Sequence, residues 1–173
     1  GSTVTVMEDE EPNRVDLSRM RELKPVFQDD GVLTVGNSPA CNDGAAALIV
    51  MVEEEAARLG LAPMARIVGY AGAALAPEWF TLAPIQAIKL VLKKTGLTIG
   101  DIDLFEINEA FSAVSLAINR ELGIDEKKVN VNGGAVALGH PIGATGARML
   151  TTLLHAMAAR GARRGLAGLC IGG

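Results

Sequence analysis

The sequence has 173 residues, of which 49% are hydrophobic and 21% charged, a composition typical of a globular domain with a sizeable core. Its net charge of −4, without any block of basic residues, argues against a nucleic-acid-binding protein. The longest apolar run, Ala45 to Val52, is too short to cross a bilayer, so we expect no membrane association.

The two cysteines, Cys41 and Cys170, lie far apart and match neither a zinc-binding nor a CxxC spacing. We therefore predict no metal site. The spacing leaves a disulfide between them open, but reduced thiols in the cytoplasm, or in an organellar matrix, are the simpler interpretation.

Residues 1–30 are polar and acidic, and we interpret them as a linker or as the end of a loop that arrives from an upstream part of the protein. Asp16 or Ser18 is suited to cap a short helix in this segment, and that helix should end before Pro25.

From Asn42 onward, predicted strands and helices alternate. Continuous apolar runs predict buried strands, and apolar residues at helical spacing predict helices. The predicted strands cover residues 44–52, 65–70, 102–107, 129–131 and 165–170. The predicted helices cover residues 53–59, 84–94, 110–122 and 146–160. This alternation predicts a layered α/β fold, with a mixed sheet that carries helices on both faces.

Helix 146–160 has little polar face over its first two turns, which predicts burial on nearly every side. A single sheet covers only one side of a helix, so we expect a second layer from a missing half or from a partner copy. The sequence also stops at Gly173, directly after an apolar strand and a pair of glycines. Both features lead us to expect a fragment of a larger protein.

His140 lies in a glycine-rich loop that runs from Asn130 to Arg148 and leads into helix 146–160. Glycines let the backbone approach a ligand closely, and the free N–H groups at a helix start favour anions. A histidine there, with a pKa near neutrality, suits proton transfer or donation to an oxyanion. A histidine that merely caps a tight turn is equally compatible with the spacing.

Two further positions combine a strand end with a polar or reactive side chain. Cys170 precedes two glycines, whose backbone N–H groups could acidify a thiolate that acts as base or nucleophile. An inert buried cysteine is the more frequent alternative. Asn108 stands at a strand-to-helix junction, where an N-cap is the commoner role and a contact with a catalytic water is the alternative.

Together these stretches resemble the thiolase family. The resemblance is carried by Asn108 to Phe111 (NEAF), Gly133 to Arg148 (GGAVALGHPIGATGAR) and Cys170 to Gly173 (CIGG). Leu23 to Phe27 (LKPVF) and the stretch from Gly36 to Ala46, which includes NDGAA, also look like thiolase. The blocks occur in the family's order and extend over about residues 3 to 173, nearly the whole chain.

Thiolases have two similar α/β halves, whose sheets sandwich buried helices, and a loop domain inserted in the first half. The resemblance therefore implies that residues 1–30 end this loop domain and that residues 31–173 form the C-terminal thiolase domain without its last strand. Helix 146–160 would pack between the sheets of the two halves.

The family's mechanism implies roles for four residues. His140 is similar to the histidine that activates the nucleophilic cysteine and helps to form an oxyanion hole. Asn108 matches the asparagine that positions a water in that hole. Cys170 matches the cysteine that moves a proton on the α-carbon of acetyl-CoA, and the backbone N–H of Gly172 would contribute to a second oxyanion hole.

The sequence also departs from the family's pattern. Pro39 stands where many members have a serine that contacts coenzyme A, which makes Ser38 its substitute, and Phe111 is a further candidate for substrate binding. The nucleophilic cysteine belongs to the family's first half, upstream of residue 1, and neither Cys41 nor Cys170 matches its motif. We therefore expect the isolated chain to be inactive.

The resemblance implies an acyltransferase, either an acetyl-CoA acetyltransferase or a 3-ketoacyl-CoA thiolase, that acts through a cysteine acyl-enzyme. Its expected partners are acyl-CoA as substrate, an upstream half that carries the nucleophile, and further copies in a homodimer or tetramer. No covalently bound cofactor is implied. The alternative is a non-catalytic module that binds coenzyme A or serves in assembly.

Overall fold

A small parallel sheet forms the centre of the computed structural model, which describes residues 3–9 and 11–171. Strand β1 (Leu104–Ile107) pairs with β2 (Gly165–Gly168), in a register that places Leu104 beside Gly165 and Ile107 beside Gly168. Val129 adds one isolated parallel bridge to Phe105. The predicted α/β class is confirmed, while the sheet within the described ranges is parallel instead of mixed.

The described residues contain six α-helices: α1 (Glu11–Arg14), α2 (Glu53–Arg58), α3 (Ala83–Thr95), α4 (Ser112–Leu122), α5 (Ala135–Leu138) and α6 (Thr145–Arg160). Short 3-10 helices cover Leu17–Glu22, Val35–Asn37, Pro77–Leu82, Ile99–Asp101 and Glu126–Lys128. The four predicted helices are confirmed to within two residues at either end. Gly96 and Gly123 end α3 and α4 at φ values of 70° and 64°, a left-handed conformation that glycine adopts without steric cost.

Helices lie on both faces of the sheet, as predicted. Successive side chains of a strand point to opposite faces. On one face, Phe105 and Ile107 pack in a core with residues of α3 and α4, including the fully buried Ile118. On the other face, Leu104 packs with Leu153 of α6. All four residues of β1 are buried, which fits a strand covered on both faces.

The predicted strands 44–52 and 65–70 are wrong. Both segments are irregular in the structure, and Ile49 and Ile67 are 89% and 67% exposed. A strand needs a hydrogen-bonded neighbour, and in the described ranges the sheet consists of β1 and β2 alone. The end of the second segment instead lies along α3, where Lys94 Nζ donates to the Tyr70 carbonyl at 3.3 Å.

Helix α6 buries one side against the sheet in the described chain, and burial of its other side, which we assigned to a missing half or a partner copy, stays a prediction. Met149 and Leu153 face the sheet and are at most 5% exposed, whereas Leu150 is 42% exposed and His155 is exposed. The two-stranded sheet covers one side of the helix, and the described chain supplies no second layer. A covering layer from another half stays a prediction.

Two smaller expectations concern the N-terminal segment and the membrane. The predicted short helix before Pro25 is confirmed as the 3-10 helix Leu17–Glu22, in which Asp16 Oδ1 accepts from the Ser18 backbone N–H at 3.0 Å. In the described part of the chain, no helix is both long and apolar enough to cross a membrane.

Candidate functional site

Asn108 and Cys170 lie at the same edge of the sheet. Asn108 directly follows β1 and Cys170 follows β2 by two residues, and the carboxyl ends of parallel strands share one edge. The backbone N–H of Asn108 donates to the Gly168 carbonyl at 2.8 Å, which extends the ladder between the strands. The structure thus brings together two of the three predicted catalytic residues.

The Asn108 side chain is buried without any hydrogen bond. The residue is 2% exposed, and neither Nδ2 nor Oδ1 has a partner. The N-cap interpretation is wrong, because α4 begins at Ser112 after Phe111 and has no side-chain cap. A buried amide without hydrogen-bond partners lowers the stability of the fold. Its donor and acceptor therefore mark a position where a bound polar group or a water would be stabilised.

Cys170 is a partly buried free thiol. Burial raises its pKa, although its own backbone N–H and the nearby Asn108 amide act in the opposite direction. The net direction is upward because the loss of solvation outweighs these two contributions. Cys170 therefore holds its proton at neutral pH, in the form that can deliver a proton to a carbanion. The acidifying effect expected from Gly172 and Gly173 stays a prediction, because both residues lie outside the described part of the chain.

His140 is held by hydrogen-bond contacts with two different segments of the chain. Its backbone N–H donates to the Ala40 carbonyl at 2.9 Å, and its Nδ1 lies 2.7 Å from Thr145 Oγ1 at the start of α6. Burial, and secondly the charge of Arg148, lower its pKa. The imidazole is therefore neutral at pH 7 and able to accept a proton.

Glu109 connects the His140 loop to the strand end that carries Asn108. One carboxylate oxygen accepts from the Val136 backbone N–H at 3.0 Å, and the other accepts from Asn130 Nδ2 at 3.2 Å. The carboxylate occupies the place that a Cβ would take at Gly134, which explains the glycine. Glu109 belongs to the NEAF block, but its anchoring role was not predicted.

The side-chain amide of Asn130 bonds the backbone of one residue of β1 as a neighbouring strand would. Its Oδ1 accepts from the Ile107 N–H at 2.8 Å, and its Nδ2 donates to the Ile107 carbonyl at 2.9 Å. Its φ of 46° lies in the left-handed region, which asparagine tolerates better than most residues. This role was not predicted, although an asparagine at the start of a glycine-rich loop is a recognisable signal.

Glu106 and Arg148 form a buried ion pair between β1 and α6. Arg148 donates to Glu106 Oε1 at 2.8 Å, and Glu106 is 2% exposed. Burial raises the pKa of Glu106, while the hydrogen bond and charge of Arg148 act against that rise. Arg148 ends one of the family-like blocks, but the ion pair itself was not predicted, although a carboxylate inside the apolar strand LFEI indicates a buried partner.

The remaining predicted site residues are less directly placed. Ser38 Oγ donates to the Thr34 carbonyl at 2.8 Å, and its segment reaches the His140 loop through Ala40. Phe111 contacts Phe27 edge to face, with ring centroids 5.6 Å apart. Gly172 lies outside the described residues. The substrate contacts of Ser38 and Phe111 and the oxyanion role of Gly172 stay predictions.

In residues 3–9 and 11–171, no group of three or more His, Cys, Asp or Glu side chains could hold a metal ion. Cys41 is an exposed free thiol and Cys170 is also free, so the structure contains no disulfide between them. The three predicted catalytic side chains are thus a neutral histidine, a protonated thiol and an unsatisfied amide, which is a set suited to moving protons and stabilising an oxyanion.

Two family models match the sequence. The thiolase C-terminal domain matches residues 61–173, and the thiolase N-terminal domain matches residues 1–54. The sequence is 50% identical to the acetyl-CoA acetyltransferase of Paracoccus denitrificans over 173 residues, which are 100% of this chain and 44% of that protein. It is 54% identical to the acetyl-CoA acetyltransferase of Escherichia coli over 151 residues, which are 87% of this chain and 38% of that protein.

Solved structures show the same similarity in three dimensions. The Bacillus anthracis acetyl-CoA acetyltransferase superposes with a TM-score of 0.89 at 47% identity, over 94% of this chain and 42% of that one. The human mitochondrial 3-ketoacyl-CoA thiolase superposes with a TM-score of 0.84 at 41% identity, over 92% of this chain and 41% of that one. The chain thus spans less than half the length of each of these relatives.

Proposed function

The chain belongs to the thiolase family, and from this premise we propose that it supplies the proton-transfer and oxyanion groups of an enzyme that makes or cleaves 3-ketoacyl-CoA thioesters. The observation that carries the proposal is the buried Asn108 amide, which has no partner and lies near the Cys170 thiol at the edge of the sheet. The His140 loop is tied to the same edge through Glu109.

In the first half-reaction, we assign His140 the role of base. In the condensing direction, a cysteine of an upstream thiolase half gives its thiol proton to neutral His140 and attacks the carbonyl carbon of acetyl-CoA. The carbon–sulfur bond to coenzyme A then breaks, and coenzyme A leaves as the thiol after His140 returns the proton to it. The Asn108 amide would hold a water that donates to the developing oxyanion, which would satisfy its orphaned polar atoms.

In the second half-reaction, we assign Cys170 the proton transfer at the α-carbon. In the thiolytic direction this half-reaction runs first and in reverse: the upstream cysteine, deprotonated by His140, attacks the 3-keto carbonyl, the carbon–carbon bond breaks, the acyl group remains on that cysteine as a thioester, and the acetyl-CoA enolate takes the Cys170 proton. In the condensing direction the Cys170 thiolate removes that proton. The raised pKa of Cys170 supports the first of these steps, because the thiol is protonated at neutral pH.

Acetoacetyl-CoA is the proposed substrate, because several similar proteins are acetyl-CoA acetyltransferases. We further propose that Ser38 and Phe111 contact the acyl-CoA, that Gly172 donates its N–H to the second oxyanion, and that the assembled enzyme is a homodimer or tetramer. No covalently bound cofactor enters this chemistry.

The test is thiolysis of acetoacetyl-CoA by coenzyme A, followed by the loss of enolate absorbance. Two proteins are compared: the chain alone, and a chimera in which the chain replaces its 173 matched residues in the Paracoccus denitrificans acetyl-CoA acetyltransferase. We expect no turnover by the chain alone and turnover by the chimera. His140→Ala in the chimera should lower kcat by about 10²-fold or more, as is usual when a general base is removed.

Two results would contradict the proposal. Turnover by the chain alone would mean that one of its own cysteines accepts the acyl group. A folded chimera that binds coenzyme A but does not turn over would instead support the non-catalytic binding or assembly module. His155→Gln is the matched control for the histidine substitution, because His155 is exposed on α6.

A further inference from the structure

Thr145 makes two hydrogen-bond contacts with a single hydroxyl group. The residue is fully buried at the first position of α6. Its Oγ1 donates to the Pro141 carbonyl at 3.1 Å and lies 2.7 Å from Nδ1 of His140. A hydroxyl has one hydrogen to donate, so both contacts are hydrogen bonds at once only if Nδ1 carries a hydrogen and donates it to Oγ1.

We propose that Thr145 is a positioning residue that holds His140 in the tautomer with hydrogen on Nδ1 and leaves the lone pair on Nε2 free to accept a proton. The tautomer is a property of this chain and does not depend on the proposed function. The use of Nε2 as the base for an upstream cysteine does rest on that function.

The backbone around the contact holds both residues in place. His140 is anchored through its N–H on the Ala40 carbonyl at 2.9 Å. The start of α6 is anchored on the Pro141 carbonyl, which accepts from the N–H groups of Ala144 and Thr145 at 2.7 and 2.9 Å. Both residues of the contact are thus held through their backbones, so the orientation of the imidazole ring is set before any substrate binds.

The arrangement has a chemical consequence for proton transfer. A proton that arrives at Nε2 converts the ring to imidazolium while the bond from Nδ1 to Thr145 stays in place. When the proton leaves, the same tautomer is restored. The ring therefore accepts and releases a proton at Nε2 without rotating. A base that acts twice in one catalytic cycle needs this property.

The test is two-bond 1H–15N correlation NMR of the 15N-labelled chain, recorded well above the pKa of free histidine. Nitrogen shifts distinguish a protonated from an unprotonated ring nitrogen. The sequence contains two histidines, and His155→Gln assigns the signals. We expect protonated Nδ1 and unprotonated Nε2 at His140. Hydrogen on Nε2 would mean that the Thr145 hydroxyl donates to Nδ1, and the proposal would be overturned.

Two variants test whether Thr145 is the cause. Thr145→Ser keeps the hydroxyl and should preserve the Nδ1–H signature, whereas Thr145→Val removes it and should shift His140 toward a mixture of tautomers. An unchanged signature in folded Thr145→Val would also overturn the proposal. Should that variant fail to fold, the wild-type spectrum still decides the tautomer.

The chimera separates this proposal from the proposed function. In an active chimera, Thr145→Val should lower kcat by about 10²-fold with little change in KM, and Thr145→Ser should restore most of the activity. An inactive chimera together with an Nδ1–H tautomer in the chain would contradict the function and leave the tautomer established.

Discussion

Glu106 shows how a single buried charge depends on its partner. It lies in the middle of β1 and is 2% exposed, and Arg148 of α6 donates to it at 2.8 Å. Arg148 also lowers the pKa of His140 through its charge. This pair therefore joins the sheet to the helix and influences the histidine that α6 helps to hold.

Removal of one member of this pair should cost much more than removal of both. We expect Arg148→Met to lower the free energy of unfolding by about 3–5 kcal/mol, because it leaves the Glu106 carboxylate buried and unpaired. Urea denaturation followed by circular dichroism measures the loss. The double variant Glu106→Leu with Arg148→Met should recover most of it, and a single variant that loses less than about 1 kcal/mol would show that the carboxylate is solvated.

Also at the residue scale, the motif residues could be predicted and their supports could not. His140, Asn108 and Cys170 were identified because each is a reactive or polar side chain at a strand end or in a glycine-rich loop. Glu109 and Asn130 were missed because their partners are 27 and 23 residues away along the chain. Contacts over such separations exist only after the strand and the loop have been brought together.

At the scale of elements, α6 distinguishes a helix face that is packed from one that is uncovered. Leu153 is 5% exposed and packs against Leu104, whereas Leu150 is 42% exposed. Both residues are leucines in the same apolar stretch of sequence, so only the position of the sheet distinguishes the packed side chain from the exposed one.

We expect Leu153→Ala to lower the free energy of unfolding of the monomer by about 2–5 kcal/mol, because it leaves a cavity between α6 and β1. Leu150→Ala is the matched control and should change it by less than about 0.5 kcal/mol. Both are measured by urea denaturation at low protein concentration. Equal effects would mean that the outer face of α6 is covered in solution, for example by a second copy.

The carboxylate of Asp103, directly before β1, holds the backbone of the segment that leads into β2. Asp103 Oδ2 accepts from the backbone N–H groups of Arg163 and Arg164 at 2.8 and 2.9 Å. These bonds, first that of Arg164, lower the pKa of Asp103. A lowered pKa in the folded state stabilises the fold above the unfolded value of about 3.9, and this contribution is lost as the pH falls through the folded value.

Asp103→Asn should therefore lower the urea midpoint at neutral pH and reduce its further decline in acid. Parallel denaturation series at neutral and acidic pH measure both effects. Asp29→Asn, at an exposed position of the N-terminal segment, removes the same charge and serves as control. A variant whose midpoint falls in acid as steeply as that of the wild type would show that Asp103 does not contribute to the decline.

For the whole molecule, the exposed apolar surface is the main feature. Large apolar side chains are exposed in the irregular segments and in the His140 loop, among them Ile49, Ile67 and Ile142 at 89%, 67% and 72%. Apolar surface exposed to this extent promotes association with another protein surface.

We expect the isolated chain to associate as its concentration rises and to bind a hydrophobic dye. Light scattering coupled to size-exclusion chromatography measures the association. The chimera described above should bind less dye, because the upstream part would cover the outer face of α6. A monomer at high concentration, with slow hydrogen exchange throughout residues 44–52 and 65–70, would contradict this prediction.

The amino-acid sequence by itself determined the family, the α/β class, the four main helices and the identity of the reactive side chains. These features depend on local periodicity, on capping glycines such as Gly96 and Gly123, and on short contiguous motifs. All of them are encoded within a few neighbouring residues, which is why they could be read directly.

Only the tertiary structure decided which apolar runs become strands and how the reactive groups are tuned. Residues 44–52 and 104–107 are both apolar, but only the second has a neighbouring strand, β2, to bond with. The pKa of Cys170 rises because its surroundings exclude water, and Thr145 reaches His140 because a turn places α6 beside it. Pairing, burial and orientation depend on residues distant in the chain, so no local pattern specifies them.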